Sequence, residues 1–293
     1  MRCLTIFDLV IDLLRRICGY QMPRLGNLAF RSFFKICPEQ IESEIFPGIT
    51  VRMNFKEDET AQATWWQGYR YEQPMPRVVR DFCSKDVKAF FDIGANYGFY
   101  SYLVLSNCPR VSVYAFEPNP KHFKTLTGTL AKNSLEKRFF PQQIGLSDEN
   151  DELNLTMITG HGSATLAVHP DATSGKLPFS TCRVSVTTFD EWYSKNGLSL
   201  SVGQAVAKID VDAFEVRILK AMQNALRNKL FKAVIVEVCA QTLAYDSKTP
   251  RELCEILAGL DYFPHDMDLK PILQVDDSFY SNVVFLPGGT RPG

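Results

Sequence analysis

A short motif in the first half of the chain combines a carboxylate with two glycines. Asp92 and Gly94 are two residues apart, and Gly98 follows four residues later. Apolar residues precede the motif and a helical pattern follows it, so it lies in a turn between a strand and a helix. Glycine allows backbone angles and close contacts that a side chain would block, and the first N–H groups of a helix lack partners. We expect this turn to bring bare backbone amides to the anionic or polar end of a nucleotide-like cofactor.

Two classes of cofactor use such a turn, and the acidic residues help to distinguish them. Dinucleotide folds require Gly-x-Gly-x-x-Gly, whereas here the central glycine is missing and Asp92 ends the strand. A carboxylate at that point repels a pyrophosphate but suits the ammonium group of S-adenosylmethionine. Glu117, at the end of the next strand, can accept hydrogen bonds from both ribose hydroxyls of either cofactor. The sequence therefore favours S-adenosylmethionine, and a dinucleotide-dependent oxidoreductase is the alternative.

Polar residues also end the other predicted strands. The carboxyl ends of parallel strands meet at one edge of a sheet, where we expect Asp92, Glu117, Ser147, Asp210, Asp212 and Glu237. Methyl transfer to a hydroxyl needs an aligned acceptor and a base that takes its proton. The candidate bases are Asp210, Asp212, Glu237 and His161. Three of these residues have an alternative to a catalytic role. For Asp210 the alternative is cofactor binding or capping of a helix, for Glu237 it is pairing with Lys208, and for His161 it is an ordinary place in a loop.

The composition indicates a substantial core and a balanced charge. Of 293 residues, 45% are hydrophobic, and 32 basic residues against 33 acidic ones give a net charge of −1. This balance gives no support for nucleic acid as a partner. The eight cysteines form no Cys-x-x-Cys pair and no Cys/His cluster with metal-ligand spacing. We therefore expect reduced thiols, a cytoplasmic protein and no structural metal.

Residues 1–85 are predicted to form an N-terminal appendage. Cys3–Leu14 is apolar but contains two aspartates and precedes two arginines, which argues against a signal peptide. Its helical spacing predicts an amphipathic helix that packs on the domain or mediates self-association; a weak peripheral membrane contact is the alternative. Leu28–Phe34 is a second short apolar helical segment, and residues 49–56 alternate as a half-exposed strand does.

From Val87 onward, strand and helix patterns alternate, which predicts a parallel sheet covered by helices on both faces. Pro141 cannot donate to a strand ladder, so the third strand should lie at an edge. Alternating segments between residues 148 and 205 predict an insertion of antiparallel strands between the third and fourth strands. The later elements are the third strand Phe139–Leu146, the fourth strand Ala205–Val211, a helix over Glu215–Leu230, the fifth strand Lys232–Val238 and an antiparallel closing strand Asn282–Leu286.

Four blocks, in this order, resemble the FkbM-type family of S-adenosylmethionine-dependent methyltransferases: Asp92–Gly98, Phe116–Pro120, Gly145–Asp148 and Lys208–Asp212. The resemblance covers roughly the last two-thirds of the chain, and residues 86–293 are taken as the methyltransferase domain. It implies the α/β fold of class I methyltransferases, a doubly wound sheet of order 3-2-1-4-5-7-6 with an antiparallel last strand. It also implies methyl transfer, most often to a hydroxyl of a sugar, glycan or secondary metabolite.

The resemblance assigns positions as well. It implies that Ser147 lines the adenine and that Glu72, the acid of a Tyr-Glu pair, belongs to a segment that closes over the cofactor; a solvated helix charge is the alternative for Glu72. The family has Glu-Gly where this chain has Asp212-Ala213. This departure bears on the acceptor, and a module that binds the cofactor without turnover is a third possibility. The predicted cofactor-binding residues are Asp92, Gly94, Ala95, Asn96, Gly98, Glu117, Asn119, Ser147 and Glu72.

Overall fold

The computed structural model describes residues 40–54, 59–84, 86–158 and 164–289. The predicted N-terminal helix, the apolar segment Leu28–Phe34 and the candidate base His161 lie outside these described residues. Within the described ranges, no helix has both the length and the apolar character needed to cross a membrane.

The described chain begins with a hairpin and two helices. Strands β1 (Gln40–Phe46) and β2 (Ile49–Asn54) pair antiparallel, so the strand expected from residue 49 is present. Helices α1 (Glu59–Gln67) and α2 (Met75–Cys83) follow. The hairpin is fixed to the main body because the backbone N–H and C=O of Thr50 each make a 2.8 Å hydrogen bond with the Asn133 side chain. The division of the chain at residue 85 stays a prediction.

The first half of the domain alternates strand and helix: β3 (Ala89–Ile93), α3 (Phe99–Asn107), β4 (Ser112–Phe116), α4 (Pro120–Asn133) and β5 (Phe139–Gln142). All five residues of β3 are buried, as a strand covered on both faces requires. β5 is the edge strand that Pro141 predicted. It is shorter than expected, because the ladder ends one residue after the proline and Gly145–Leu146 pairs in a different sheet.

That second sheet is the predicted insertion. It contains β6 (Gly145–Leu146), β7 (Asp151–Ile158), β8 (Ala164–Thr165) and β9 (Phe179–Thr187), and a short helix α5 (Pro170–Thr173) precedes β9. The strand order is β6-β9-β7-β8. β7 and β9 pair antiparallel along eight residue pairs, which confirms the alternation seen in the sequence.

The second half contains α6 (Phe189–Lys195), β10 (Ala205–Ile209), α7 (Glu215–Ala221), α8 (Gln223–Arg227), β11 (Phe231–Cys239), α9 (Ala240–Leu243), α10 (Pro250–Gly259), β12 (Tyr262–His265) and β13 (Tyr280–Pro287). The single helix expected over Glu215–Leu230 is divided into α7 and α8. The Asp190 carboxylate accepts the N–H groups of Asn224 and Ala225, at 2.8 and 3.0 Å, and so caps the start of α8.

The central sheet has the order β12-β13-β11-β10-β3-β4-β5. Numbered along the chain, these strands run 3-2-1-4-5-7-6 from the β5 edge, and β13 is antiparallel to both neighbours. The predicted fold is therefore confirmed. One buried apolar cluster covers each face of the sheet. The ends of β3, β4, β10 and β11 and the start of β13 meet at one edge.

Candidate active site

A cleft of about 910 Å³, its open mouth included, lies at this edge of the sheet. Its walls come from the turns after β3, β4 and β10, from the segment that follows α1, and from strands β6 to β8 of the insertion. Seven of the thirteen predicted site residues line it: Glu72, Gly94, Ala95, Asn96, Glu117, Asp210 and Asp212.

The turn after β3 needs glycine for reasons of both conformation and space. Gly94 and Gly98 have φ angles of +76° and +99°, in the left-handed region. A Cβ on Gly94 would lie 1.9 Å from the carbonyl oxygen of Asp210, and a Cβ on Gly98 would lie 2.6 Å from Leu126 Cδ2. Gly94 therefore lets the turn lie against the end of β10, whereas Gly98 packs behind the cleft as the N-cap of α3.

The expectation that the amides of this turn are bare is wrong, because each of the N–H groups described below has a partner within the chain; a contact of these residues with the cofactor stays a prediction. The N–H groups of Gly94 and Ala95 donate to the carbonyl oxygen of Phe116, at 3.1 and 3.0 Å. Asn96 N donates to Glu117 Oε2 at 2.7 Å, and Gly98 N donates to Ala95 O at 2.8 Å. The end of β4 thus satisfies the first three of these donors, and the turn itself satisfies the N–H of Gly98. The turn gives the cleft its shape rather than its hydrogen-bond donors.

Glu117 is held rigidly at the cleft wall. Its Oε2 accepts from Asn96 N at 2.7 Å and its Oε1 accepts from Asn119 N at 2.8 Å. Burial raises the pKa of Glu117, although His122 and the two N–H donors oppose the shift. Each carboxylate oxygen has a further lone pair, so the ribose contact predicted for Glu117 is geometrically possible.

Two predicted cofactor residues instead have structural contacts outside the cleft. The buried Asn119 side chain accepts from Lys121 N at 3.0 Å and caps α4. The hydroxyl of buried Ser147 donates to Asp148 Oδ1 at 3.1 Å. Gly145 and Leu146, the two residues before Ser147, line the cleft in its place. Sequence spacing located the strand end correctly but not the residue that faces the cleft.

Asp92 is fully buried and lies behind the cleft rather than in its wall. Its Oδ2 accepts from Ser101 Oγ at 2.6 Å, and its Oδ1 lies 3.9 Å from Lys208 Nζ. Burial raises the pKa of Asp92, and Lys208 and Ser101 oppose the shift. A direct contact of Asp92 with the ammonium of the cofactor is therefore not what this geometry offers.

Lys208 is a cleft residue that the sequence analysis named only as a partner of Glu237 and not as a site residue. It is buried, lines the cleft, and places Nζ 3.0 Å from Asp210 Oδ2 and 4.9 Å from the centre of the Tyr100 ring. Burial would lower the pKa of Lys208, but the charges of Asp210, Asp92 and Glu72 together raise it. Its ion pairs are with Asp210 and Asp92, not with Glu237 as the sequence had suggested. The sequence signal that could have identified Lys208 as a site residue is a lysine inside an otherwise apolar strand.

The segment before the domain contributes Glu72. This residue lies outside the helices, at a φ of +52°, and its Oε2 accepts from Tyr100 Oη at 2.6 Å. Glu72 is exposed, as the alternative of a solvated charge expected, but it does not lie on a helix. Glu72 and Tyr100 both line the cleft, so the appendage reaches the predicted cofactor side of the site.

Asp212 and Ala213 form a turn with unusual backbone angles. Their φ values are +52° and +92°, and Thr165 Oγ1 donates to the carbonyl oxygen of Asp212 at 2.5 Å. The left-handed region favours glycine, which the family has at the second position. The chain keeps a glycine-like backbone there despite the alanine, and Asp212 lines the cleft.

Glu237 is a weak candidate base. The charge of Asp210, burial and the charge of Asp212 raise its pKa to about 9, so it carries a proton at neutral pH. Tyr280 Oη donates to its Oε1 at 3.2 Å. Within the described ranges, no group of three or more His, Cys, Asp and Glu residues could hold a metal ion.

Comparison with known proteins agrees with this geometry. Residues 92–264, more than half of the chain, match the family model described as the methyltransferase FkbM domain. The hexuronic acid methyltransferase AglP of Haloferax volcanii is 28% identical over 173 residues, which cover 58% of this chain and 64% of that protein. The chain thus matches less than two thirds of the length of this relative. The alternative of a dinucleotide-dependent oxidoreductase is wrong, because the matching family is one of methyltransferases.

Solved structures with a related arrangement include a methyltransferase and a protein bound to AdoMet. Methyltransferase FkbM from Methylobacillus flagellatus is 11% identical with a TM-score of 0.43, over 94% of this chain and 60% of that one. TYW2 of M. jannaschii, in complex with AdoMet, is 13% identical with a TM-score of 0.42, over 85% and 86% of the two chains. Both TM-scores are below 0.5, and the fold assignment depends on the strand order itself.

Proposed function

The chain belongs to the methyltransferase FkbM domain family and uses S-adenosylmethionine, and from this premise we propose that it methylates a hydroxyl oxygen of a sugar or another small acceptor. The observation that carries the proposal is the common cleft. Gly94 and Glu117, on the cofactor side, line the same cavity as Asp210 and Asp212. The hexuronic acid methyltransferase relative supports a sugar-type acceptor.

The residues of the cleft fit this cofactor. Gly94 lets the turn after β3 lie directly against the end of β10, where even one Cβ would clash with the carbonyl oxygen of Asp210. Glu117 presents two fixed carboxylate oxygens to a ribose, and Glu72 and Asp210 present carboxylates to an ammonium group. When bound, S-adenosylmethionine supplies a methyl group activated by its positively charged sulfur.

Because the methyl group is already activated, the chain has to align the acceptor and take its proton. We assign the base to Asp212, which lines the cleft and whose backbone Thr165 fixes. Asp210 is in a 3.0 Å ion pair with Lys208, which suits a positioning role. Glu237 is protonated at neutral pH and lies outside the cleft wall.

Substitution of Asp212 by Asn tests this assignment. Loss of a general base slows turnover by about 10²–10⁴-fold, whereas the affinity for S-adenosylhomocysteine should stay within about twofold. Turnover with methyl glycosides and calorimetric titration give the two quantities. Asp81→Asn, on the exposed side of α2, is the control and should change neither.

Two outcomes would contradict the proposal. Full activity of Asp212→Asn would remove Asp212 as the base, and lost binding of S-adenosylhomocysteine would place it on the cofactor side. A wild-type chain that binds S-adenosylhomocysteine but transfers to no hydroxyl acceptor would favour the alternative of a module without turnover.

A further inference from the structure

Charged residues line the cleft on two different strands of the sheet. Glu117 follows β4, whereas Lys208 lies in β10 and Asp210 directly follows that strand; β3 lies between β4 and β10. Neighbouring strands are about 4.8 Å apart, so β4 and β10 are separated by about 10 Å. A cofactor that holds its ribose on Glu117 can therefore extend the amino-acid head of its methionine part to the end of β10.

Lys208 places a buried ammonium group at this position. Its Nζ lies 3.0 Å from Asp210 Oδ2 and 3.9 Å from Asp92 Oδ1, and only the shorter of these distances allows a hydrogen bond. The ring of Tyr100, whose centre is 4.9 Å from Nζ, can take a second N–H. An ammonium group has three N–H donors, so the contacts with the described residues leave one donor for a ligand oxygen in the cleft.

Glu72 places a carboxylate at the other end of the same tyrosine. Its Oε2 accepts from Tyr100 Oη at 2.6 Å, while Lys208 Nζ faces the ring of Tyr100. Burial lowers the pKa of Lys208, but the charges of three nearby carboxylates, among them Asp210 and Glu72, raise it more, so the ammonium group stays charged. Tyr100 thus lies between a cation and an anion, and all three residues line the cleft.

On the basis of the proposed function, we infer that Lys208 binds the carboxylate of the methionine part of S-adenosylmethionine, beside an ammonium group that Glu72 binds. An α-amino acid carries both charges on groups attached to one carbon atom, so its site needs a cation and an anion close together. Lys208 and Glu72, with the Tyr100 ring between them, provide both. The chain thus orients the cofactor by its amino-acid head as well as by its ribose.

This inference also explains why Asp92 lies behind the cleft. Lys208 and Asp92 are register partners in β10 and β3. Asp92 Oδ2 accepts from Ser101, whereas the buried Oδ1, 3.9 Å from Lys208 Nζ, has no hydrogen-bond partner among the described residues. Asp92 is therefore a positioning residue that acts through Lys208. It stabilises the ammonium group from behind, while the cleft side of that group meets the ligand.

A purely structural Lys208, which only neutralises Asp92 and Asp210, is the alternative. A structural lysine affects every ligand of the cleft alike, whereas a binding lysine affects only ligands that carry the carboxylate. Three probes separate the two roles. S-adenosylhomocysteine has the carboxylate, its decarboxylated form keeps only the amino group, and 5′-methylthioadenosine lacks the whole amino-acid head.

The test is calorimetric titration of the full chain with these three probes. The wild type should bind S-adenosylhomocysteine about tenfold or more tightly than its decarboxylated form, as expected for one charge-assisted hydrogen bond. Lys208→Met, which keeps an unbranched side chain without the charge, should abolish this difference and leave the affinity for 5′-methylthioadenosine unchanged. Glu72→Gln should instead weaken the binding of both probes that carry the amino group.

Two further variants complete the test. Lys220→Met is the matched control, because Lys220 also pairs with a carboxylate, that of Glu252 at 3.1 Å, but is partly exposed on α7 and outside the cleft wall. It should bind all three probes as the wild type does. Lys208→Met leaves buried Asp92 without its cation, which can destabilise the chain. Lys208→Met/Asp92→Asn removes both charges together and should lose the same discrimination.

The outcomes separate this inference from the proposed function. Equal affinity of the wild type for S-adenosylhomocysteine and its decarboxylated form overturns the carboxylate contact. An equal loss of affinity for all three probes in both Lys208 variants also overturns it and makes the lysine structural. The proposed function stands in both cases. Binding as expected without methylation of any hydroxyl compound refutes the proposed acceptor and leaves this inference intact. If the wild type binds none of the probes, both fail.

Discussion

The backbone of Gly94 lies directly against the carbonyl oxygen of Asp210, so closely that a Cβ on Gly94 would be 1.9 Å from that oxygen. The N–H of Asp210 donates in turn to the carbonyl oxygen of Ile93, at 3.1 Å. The turn after β3 and the turn after β10 are therefore held edge to edge. Because one carries the predicted cofactor side of the cleft and the other its acids, the spacing between these two parts is fixed by backbone contact.

Gly94→Ala should damage both stability and cofactor binding. Alanine at a positive φ costs about 1–2 kcal/mol, and the contact with Asp210 adds a backbone clash. Gly175 is a matched control, because its φ of +74° is nearly the same and nothing lies within 4 Å of its added Cβ. We expect Gly175→Ala to lose about 1 kcal/mol in urea unfolding and to bind S-adenosylhomocysteine normally. Gly94→Ala should lose about 3 kcal/mol or more and bind at least tenfold more weakly. Equal losses in the two variants would contradict the contact.

The order of the central sheet could be predicted because the resemblance to the FkbM-type family implies it, and local evidence agreed with it at one strand. Pro141 identified an edge strand, and the four sequence blocks located the ends of the main strands. Which residue at a strand end faces the cleft was less predictable. Successive side chains of a strand point to opposite faces, and Ile93 lines the cleft while its neighbour Asp92 lies behind it. A shift of one residue along the strand therefore decides whether a side chain lines the cleft or lies behind it. The spacing of residues in the sequence does not determine which of the two occurs.

Contacts between segments that are distant in the sequence account for the other features that the sequence did not predict. Tyr280 reaches Glu237 only because β13 inserts beside β11, more than 40 residues earlier in the chain. The N–H groups of the turn after β3 are satisfied by the end of β4, which the motif itself does not show. Lys208 was visible as a charge in an apolar strand, but its two ion-pair partners depend on the pairing of β10 with β3.

Glu117→Gln should weaken cofactor binding without unfolding the chain. Glutamine keeps one acceptor oxygen but replaces the other with an NH₂ group, which cannot accept from Asn96 N or Asn119 N. Loss of charge-assisted hydrogen bonds costs about 1.5–3 kcal/mol, or about 10- to 150-fold in the dissociation constant of S-adenosylhomocysteine. Calorimetry gives this value, and Glu149→Gln, on the exposed loop before β7, is the control. Unchanged affinity in Glu117→Gln would remove Glu117 from the ribose site.

Glu215, the first residue of α7, is a buried carboxyl group behind the acids of the cleft. Its Oε1 accepts from Val211 N at 3.4 Å, and its Oε2 has no hydrogen-bond partner among the described residues. Burial, together with the charges of Asp212 and Asp210, raises the pKa of Glu215 from 4.5 to about 8, against the opposing effect of its backbone hydrogen bonds. The folded chain therefore keeps a proton on Glu215 that the unfolded chain has already released at neutral pH.

This proton predicts how stability depends on pH. Between pH 4.5 and about 8 the folded state binds more protons than the unfolded state, so the contribution of Glu215 to stability falls as pH rises. Glu215→Gln, which keeps the shape of the protonated acid, lacks this loss. From pH 5.5 to pH 7.5, the free energy of unfolding of the wild type should fall by about 2–3 kcal/mol relative to the variant. Urea unfolding at the two pH values measures it, and Glu255→Gln, on the exposed side of α10, should follow the wild type. Parallel pH profiles for the wild type and Glu215→Gln would show that Glu215 titrates as an ordinary carboxylate.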